Sequence, residues 1–147
     1  MSLVTTSETH RDHRGFFTSF PFESKQCNIS FSDHAGTLRG LHYREPPEEK
    51  LVLCVKGSIL DIIVDLNTGE WLPLYMSNSK CIPRYVGKGY AHGFQTLEDN
   101  VEIFYVVSET YDLELSKGIR YDSFNIKWPL PVTGISSKDN ELPHLSL

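Results

Sequence analysis

Residues 50–66, KLVLCVKGSILDIIVDL, hold the two most strand-like runs of the chain. Valine, isoleucine and leucine dominate both halves, and branched side chains suit a pleated, packed surface. Lys56-Gly57 between the runs reads as the turn of a tight hairpin. Asn67-Thr68-Gly69 then turns the chain into a further strand at 71–76. Short strands follow at 81–86 and 90–96, separated by Gly87-Lys88-Gly89, and Glu98-Asp99-Asn100 leads into VEIFYVV at 101–107. Upstream, strands are expected at 14–20, where Gly15 marks a turn, at 26–31, and at 37–43 after the turn at 32–36. Pro46 and Pro47 stop the last of these.

Residues 1–13 are polar and unpatterned, and the tail from Phe124, with Pro129, Pro131 and Pro143, reads as loop and short extended pieces. No segment keeps a helical period beyond about two turns. About nine short strands with frequent turns predict an all-β sandwich or barrel with little helix.

At 147 residues the chain is expected to form one domain, residues 1–147. Hydrophobic residues at 39% and aromatic residues at 12% are those of a globular protein. A net charge of −5 argues against general binding to nucleic acid or anionic membranes, although a local basic cleft could still hold an anion. Cys27, Cys54 and Cys81 are odd in number, widely spaced and without a CxxC pair, which fits free thiols in a reducing compartment. No apolar leader and no membrane-length apolar run is visible, so a cytoplasmic location is expected.

Chemistry concentrates at residues 36–47, GTLRGLHYREPP. Arg39 is permanently cationic and suits phosphate or carboxylate, while His42 can exchange a proton near neutral pH. A lone histidine between Leu41 and Tyr43 is more often a hydrogen-bonded structural residue. Tyr105 could equally be a core aromatic, Lys50 a solvated lysine, His92 a buried structural histidine and Asp139 part of a surface turn, SSKDN. Asp61 stands in an apolar strand and needs a partner if it faces inward. A divalent metal is not expected. His42 and His92 with Arg44 make a poor ligand set, because arginine cannot coordinate, and nothing in the spacing of Glu45, Glu48 or Glu49 supplies a substitute.

Taken together, the motifs arrive in a recognisable order. They are Arg14-Gly15-Phe16-Phe17, Gln26-x-Asn28, GTLRGLHY at 36–43, Lys50-Leu51-Val52, a D-x-x-x-D pattern at Asp61 and Asp65, and Gly89-Tyr90-Ala91-His92-Gly93-Phe94. Glu102-Ile103-Phe104-Tyr105, Gly118-Ile119-Arg120-Tyr121, Trp128-Pro129 and Ser137-Lys138-Asp139 complete the series. From Arg14 to about Leu145 the chain resembles the dTDP-4-dehydrorhamnose 3,5-epimerase family, enzymes of the cupin superfamily.

The resemblance implies a cupin-type jelly roll, a homodimer and cofactor-independent epimerisation of a nucleoside-diphosphate-linked 4-keto-6-deoxyhexose at C3 and C5. It implies that His42 is the base, oriented by Asp139, that Lys50 stabilises the enolate, and that Tyr105 is the acid, its phenolate made easier to form by a nearby ammonium. It implies that Arg14, Arg39 and Lys138 hold the diphosphate. Gln26, Asn28 and His92 would bind polar parts of the ligand, and Phe17 or Tyr111 would pack on base or sugar.

Some family positions differ: Ser19 and Ser116 replace glutamates, Gly87 a proline, Val106 a lysine and Tyr121 a tryptophan. The resemblance also reads the leading strand before RGFF, a helical segment after it and the loop after Leu66 as trimmed. These departures keep open a mono-epimerase or keto-isomerase with altered nucleotide preference and a non-catalytic nucleotide-sugar-binding cupin. A metal-dependent cupin enzyme is a third alternative.

Overall fold

The computed structural model describes residues 8–145; the expected domain bounds and the start of the unpatterned N-terminal segment extend beyond them. The strands are β1 (Glu8–Asp12), β2 (Gly15–Ser19), β3 (Gln26–Ser32), β4 (Leu38–Arg44), β5 (Lys50–Lys56) and β6 (Ser58–Asp65). They continue with β7 (Trp71–Ser77), β8 (Arg84–Val86), β9 (Tyr90–Thr96), β10 (Val101–Val107) and β11 (Ser116–Gly118). A 3-10 turn at Ser123–Asn125 and a one-turn helix, α1 (Ser137–Asn140), lie in the tail.

The main body is a jelly roll of the cupin type. A four-stranded sheet, β3-β10-β5-β8, faces a five-stranded sheet, β11-β4-β9-β6-β7, and every pairing within them is antiparallel. Between them lies an apolar core that includes Val52, Cys54, Ile59, Ile63, Phe94 and Ile103. Burial pushes the Cys54 thiol up to about 11, so it behaves as a small apolar residue.

The largely apolar sequence of β6, interrupted by Asp61, is explained by burial on both faces. Ile59 and Ile63 point into the space between the sheets, whereas Leu60, Ile62 and Val64 pack outward against Ile119, Ile126 and the aromatic tail residues Phe124 and Trp128. Gln95, fully buried, holds this tail in place: its amide donates to the Leu130 carbonyl at 2.9 Å and its oxygen accepts from Leu130 N at 3.1 Å.

Three readings of the sequence are corrected. Lys56-Gly57 is not a hairpin turn, because β5 pairs with β10 and β8 while β6 pairs with β7 and β9. The chain crosses between sheets there. Gly57 makes the crossing at φ +84°, where an added Cβ would meet Val101 Cγ2 at 2.7 Å. The polar N-terminal segment does contain a strand, β1, which pairs with β2 along its length. Both faces of β1 are exposed, so it carries no hydrophobic alternation to read. A strand thus precedes the RGFF motif. The third correction is the turn at SSKDN, which is the helix α1.

Candidate active site

The cleft opens between the two sheets. Its inner chamber, about 280 Å3, is lined by Arg39 and His42 of β4, His92 of β9, Lys50 of β5, Tyr105 of β10 and Asp139 of α1. An outer chamber of about 700 Å3 shares His42, Lys50, Tyr105 and Lys138 with it and continues to Gln26, Asn28 and Tyr111. The two walls differ in chemistry. Arg39, His42 and His92 stand on the five-stranded sheet, and Lys50, Tyr105 and the polar residues of β3 on the four-stranded one.

Side chains alternate along a strand, so Arg39 and His42, three positions apart, should face opposite sides. The register of β4 against β9 shifts between them, and this irregularity brings both into the cavity. Gly40 permits it, at φ +122° and so close to β9 that a Cβ would lie 2.6 Å from Gly93 Cα.

Asp139 joins the site from the tail. Ser136 caps α1, its Oγ accepting from Asp139 N at 3.1 Å. The Asp139 carboxylate is buried; Oδ1 lies 2.6 Å from His42 Nε2, and Oδ2 accepts from Gly40 N at 3.0 Å. Burial pushes its pKa up, but the His42 hydrogen bond and charge, the Gly40 N–H and Lys138 outweigh it and hold the carboxyl below its ordinary value. With Asp139 ionised and accepting, Nε2 carries the proton and the basic lone pair of His42 sits on Nδ1.

Lys50 is not solvated. Its side chain is 12% exposed and its Nζ lies 3.6 Å from Glu48 Oε1. Burial drives its pKa down, and Glu48 and then Asp61 oppose this without restoring the ordinary value. Tyr105 shifts upward, chiefly by burial, with Arg39 pulling down and Glu48 pushing up. Burial thus outweighs the pull of the Arg39 guanidinium, and the phenol stays above its ordinary value. Arg39 is anchored by donating to the Phe31 carbonyl at 2.8 Å and to Ser32 Oγ at 3.2 Å. Gln26 donates to Asn28 Oδ1 at 2.8 Å and accepts from Tyr111 N at 2.9 Å, which ties the mouth of the cleft together.

The partner that Asp61 needs is His92, at 2.5 Å between Oδ2 and Nε2. Arg84 Nε lies 3.1 Å from the other oxygen, an ion pair whose N–H is not aligned for a hydrogen bond. His92 therefore meets the chamber already held by a fully buried carboxylate.

Arg14 and Phe17 are not brought to this cleft by their own chain. The β1–β2 hairpin forms a separate sheet, Arg14 is paired with Asp12 at 2.6 Å, and Phe17 is exposed. The sequence motif marks only half of the polar wall of β3. Gln26, Asn28, Ser30 and Ser32 alternate with outward Cys27, Ile29 and Phe31, an inverted pattern in which the polar face looks inward. Ser30 lines the inner chamber, and its buried Oγ has no partner among the described residues. From the sequence Glu48 stands out only as a possible metal ligand, and Arg84 carries no motif. Among the described residues no cluster of three or more His, Cys, Asp or Glu could hold a metal ion.

Residues 2–146 match the model of the dTDP-4-dehydrorhamnose 3,5-epimerase family. The chain is 35% identical over 158 residues to the dTDP-4-dehydrorhamnose 3,5-epimerase of Shigella flexneri, covering 93% of this chain and 87% of that one. It is 35% identical over 130 residues to the enzyme of the same name from Sinorhizobium fredii, covering 82% and 67%. Its fold is similar to the crystal structure of the Bacillus anthracis dTDP-4-dehydrorhamnose 3,5-epimerase with TDP and pyrophosphate bound. That TM-score is 0.84 at 33% identity, over 95% of this chain and 91% of that one.

Proposed function

Because this chain belongs to the dTDP-4-dehydrorhamnose 3,5-epimerase family, we propose that it epimerises a nucleoside-diphosphate-linked 4-keto-6-deoxyhexose in deoxysugar biosynthesis. One observation carries this reading: a histidine–carboxylate dyad on one wall of the cleft faces a protonated tyrosine and a lysine on the other. Inversion next to a ketone needs a base on one face of the carbon and an acid on the opposite face.

His42 Nδ1 takes the proton from C3 or C5, and the C–H electron pair moves into the enolate as negative charge develops on the C4 oxygen. Asp139 holds the imidazole in the tautomer that accepts and then balances the imidazolium. Lys50 places its ammonium against the oxyanion, in a buried setting where the charge counts for more than in water. Tyr105 O–H returns a proton to the other face. Tyrosinate and imidazolium then regain and release protons to solvent. This chemistry calls on no metal and no redox cofactor.

Arg39 and Lys138 bind the diphosphate, His92 a sugar oxygen, and Gln26, Asn28 and Tyr111 the nucleoside. Arg14 and Phe17 complete the site from the hairpin of a second copy. In this reading the molecule is a homodimer, and the exposed apolar residues Ile29, Phe31 and Val55 on the outer face of the four-stranded sheet support an interface there. Each copy is read as a single domain. Free Cys27, Cys54 and Cys81 fit a cytoplasmic location, and no helix among the described residues is long and apolar enough to cross a membrane.

The test is proton NMR with dTDP-4-keto-6-deoxyglucose in deuterated water. Loss of the C3 and C5 proton signals, abolished in His42→Ala while dTDP binding persists, is the expected result. Exchange at one carbon alone makes the protein a mono-epimerase. Binding without exchange, or a fully active His42→Ala, overturns the proposal.

A further inference from the structure

Glu48 has no part in the chemistry above, yet it is enclosed in the middle of it. It lies in the segment between β4 and β5, with a side chain only 14% exposed. A carboxylate so largely withdrawn from water needs compensation. Its Oε1 is 3.6 Å from Lys50 Nζ. It lines the outer chamber with Tyr105, and also a side chamber of about 220 Å3 walled by Tyr43, Leu66, Val86 and Tyr90.

Resting on the epimerase reading, we infer that Glu48 is a positioning residue whose carboxylate keeps Lys50 an ammonium and Tyr105 a phenol, the states both must hold before the enolate forms. The surrounding charges leave Glu48 as the anion available to Lys50. Asp61 of β6 is engaged by His92 and Arg84. Asp139 of α1 is engaged by His42. Glu109, at the cleft mouth beside Lys117, is paired with Lys25 at 3.0 Å. Glu45, in the side chamber with Arg44, raises Tyr43 rather than acting on Lys50.

Two other cations, Arg39 on β4 and Lys138 on α1, line the same chamber, and burial lowers the pKa of Lys50. Glu48 is the largest opposing influence. A neutral amine would not balance an enolate. On Tyr105 the same carboxylate acts with burial against Arg39. One anion thus biases acid and oxyanion stabiliser together.

Glu48→Gln keeps the size and removes the charge. The titration of Lys50 is followed by carbon NMR of labelled lysine, assigned with Lys50→Arg, and that of Tyr105 with labelled tyrosine; deuterium exchange of the keto sugar is measured across pH in parallel. In E48Q the Lys50 midpoint is expected to fall by about one pH unit or more, and the Tyr105 midpoint to fall with it. The alkaline limb of kcat should move down with the Lys50 midpoint, so that the rate loss is greater at about pH 9 than at about pH 6.

Glu48→Asp retains the charge and should restore most of each effect. If E48Q fails to fold, E48D carries the test, with a smaller shift in the same direction. An unmoved Lys50 midpoint overturns the inference even if activity is lost, and so does a moved midpoint with an unmoved rate profile. A midpoint moved by E48Q, together with a wild-type protein that exchanges neither proton, refutes the epimerase reading while upholding the hold of Glu48 on Lys50.

Discussion

At His42 the bond to Asp139 decides which ring nitrogen is basic, so the carboxylate acts through the tautomer as well as through its charge. Asp139→Asn should lower kcat by about a hundred- to ten-thousand-fold, with a much smaller change in nucleotide affinity, measured by NMR exchange and calorimetry. The carboxyl is held below its ordinary value in the folded protein. Its stabilising contribution is therefore fully present above the unfolded pKa, about 3.9, and is lost as pH falls through the folded one. Urea titrations should show wild type more stable than Asp139→Asn at neutral pH, with the gap closing below about pH 4. Asp61 presents a second residue-scale case. Arg84→Met takes the guanidinium away from this fully buried carboxylate and leaves it bonded to His92, and should cost about 3 kcal/mol in urea unfolding. Asp61→Asn with Arg84→Met should cost less than the sum of the single changes, since each removes the same pair.

Strand β4 shows what an element adds beyond its residues. Its shift against β9 is what lets two residues three apart share one cavity, and the approach of Gly40 to Gly93 leaves no room for a methyl group. Gly40→Ala is expected to lower stability by about 1–3 kcal/mol and to misplace His42 against Asp139, giving a folded protein with little exchange activity. The hairpin β1–β2 offers the contrast. Its strands pair only with each other, and β1 packs no face against the core. Deleting residues 8–19 should leave cooperative thermal unfolding of the remaining chain nearly in place, while dTDP affinity falls because Arg14 and Phe17 are gone.

Across the whole molecule, the four-stranded sheet has one face in the core and an outer face that carries Ile29, Phe31 and Val55 in the open. Lys56 stands over the Phe31 ring at 5.9 Å, at the rim of this patch. Ile29→Glu should convert a dimer to a monomer in sedimentation equilibrium, because a charge set in an apolar interface must be desolvated without a partner. The same variant should lose nucleotide affinity if the hairpin of one copy serves the cleft of the other.

Most of the strands, though not β1 or β11, were legible in the chain. Residues 50–66 and 101–107 read as strands because branched apolar residues cluster there, and the all-β class follows from their number and spacing. The ordered motifs from Arg14 to Asp139 pointed to the family and to the dyad. Local chemistry could not tell that Lys56-Gly57 crosses between sheets, since a positive-φ glycine serves either purpose and the choice rests on which strands find partners. Nor could it show that Asp139 is buried and Lys50 and Glu48 largely enclosed, because burial belongs to the opposing sheet and to a tail folded back from 97 residues downstream of His42. Composition and periodicity act over a few residues, and these fix the elements. The protonation states on which the chemistry turns are set by desolvation and by charges that meet through the packing of distant elements.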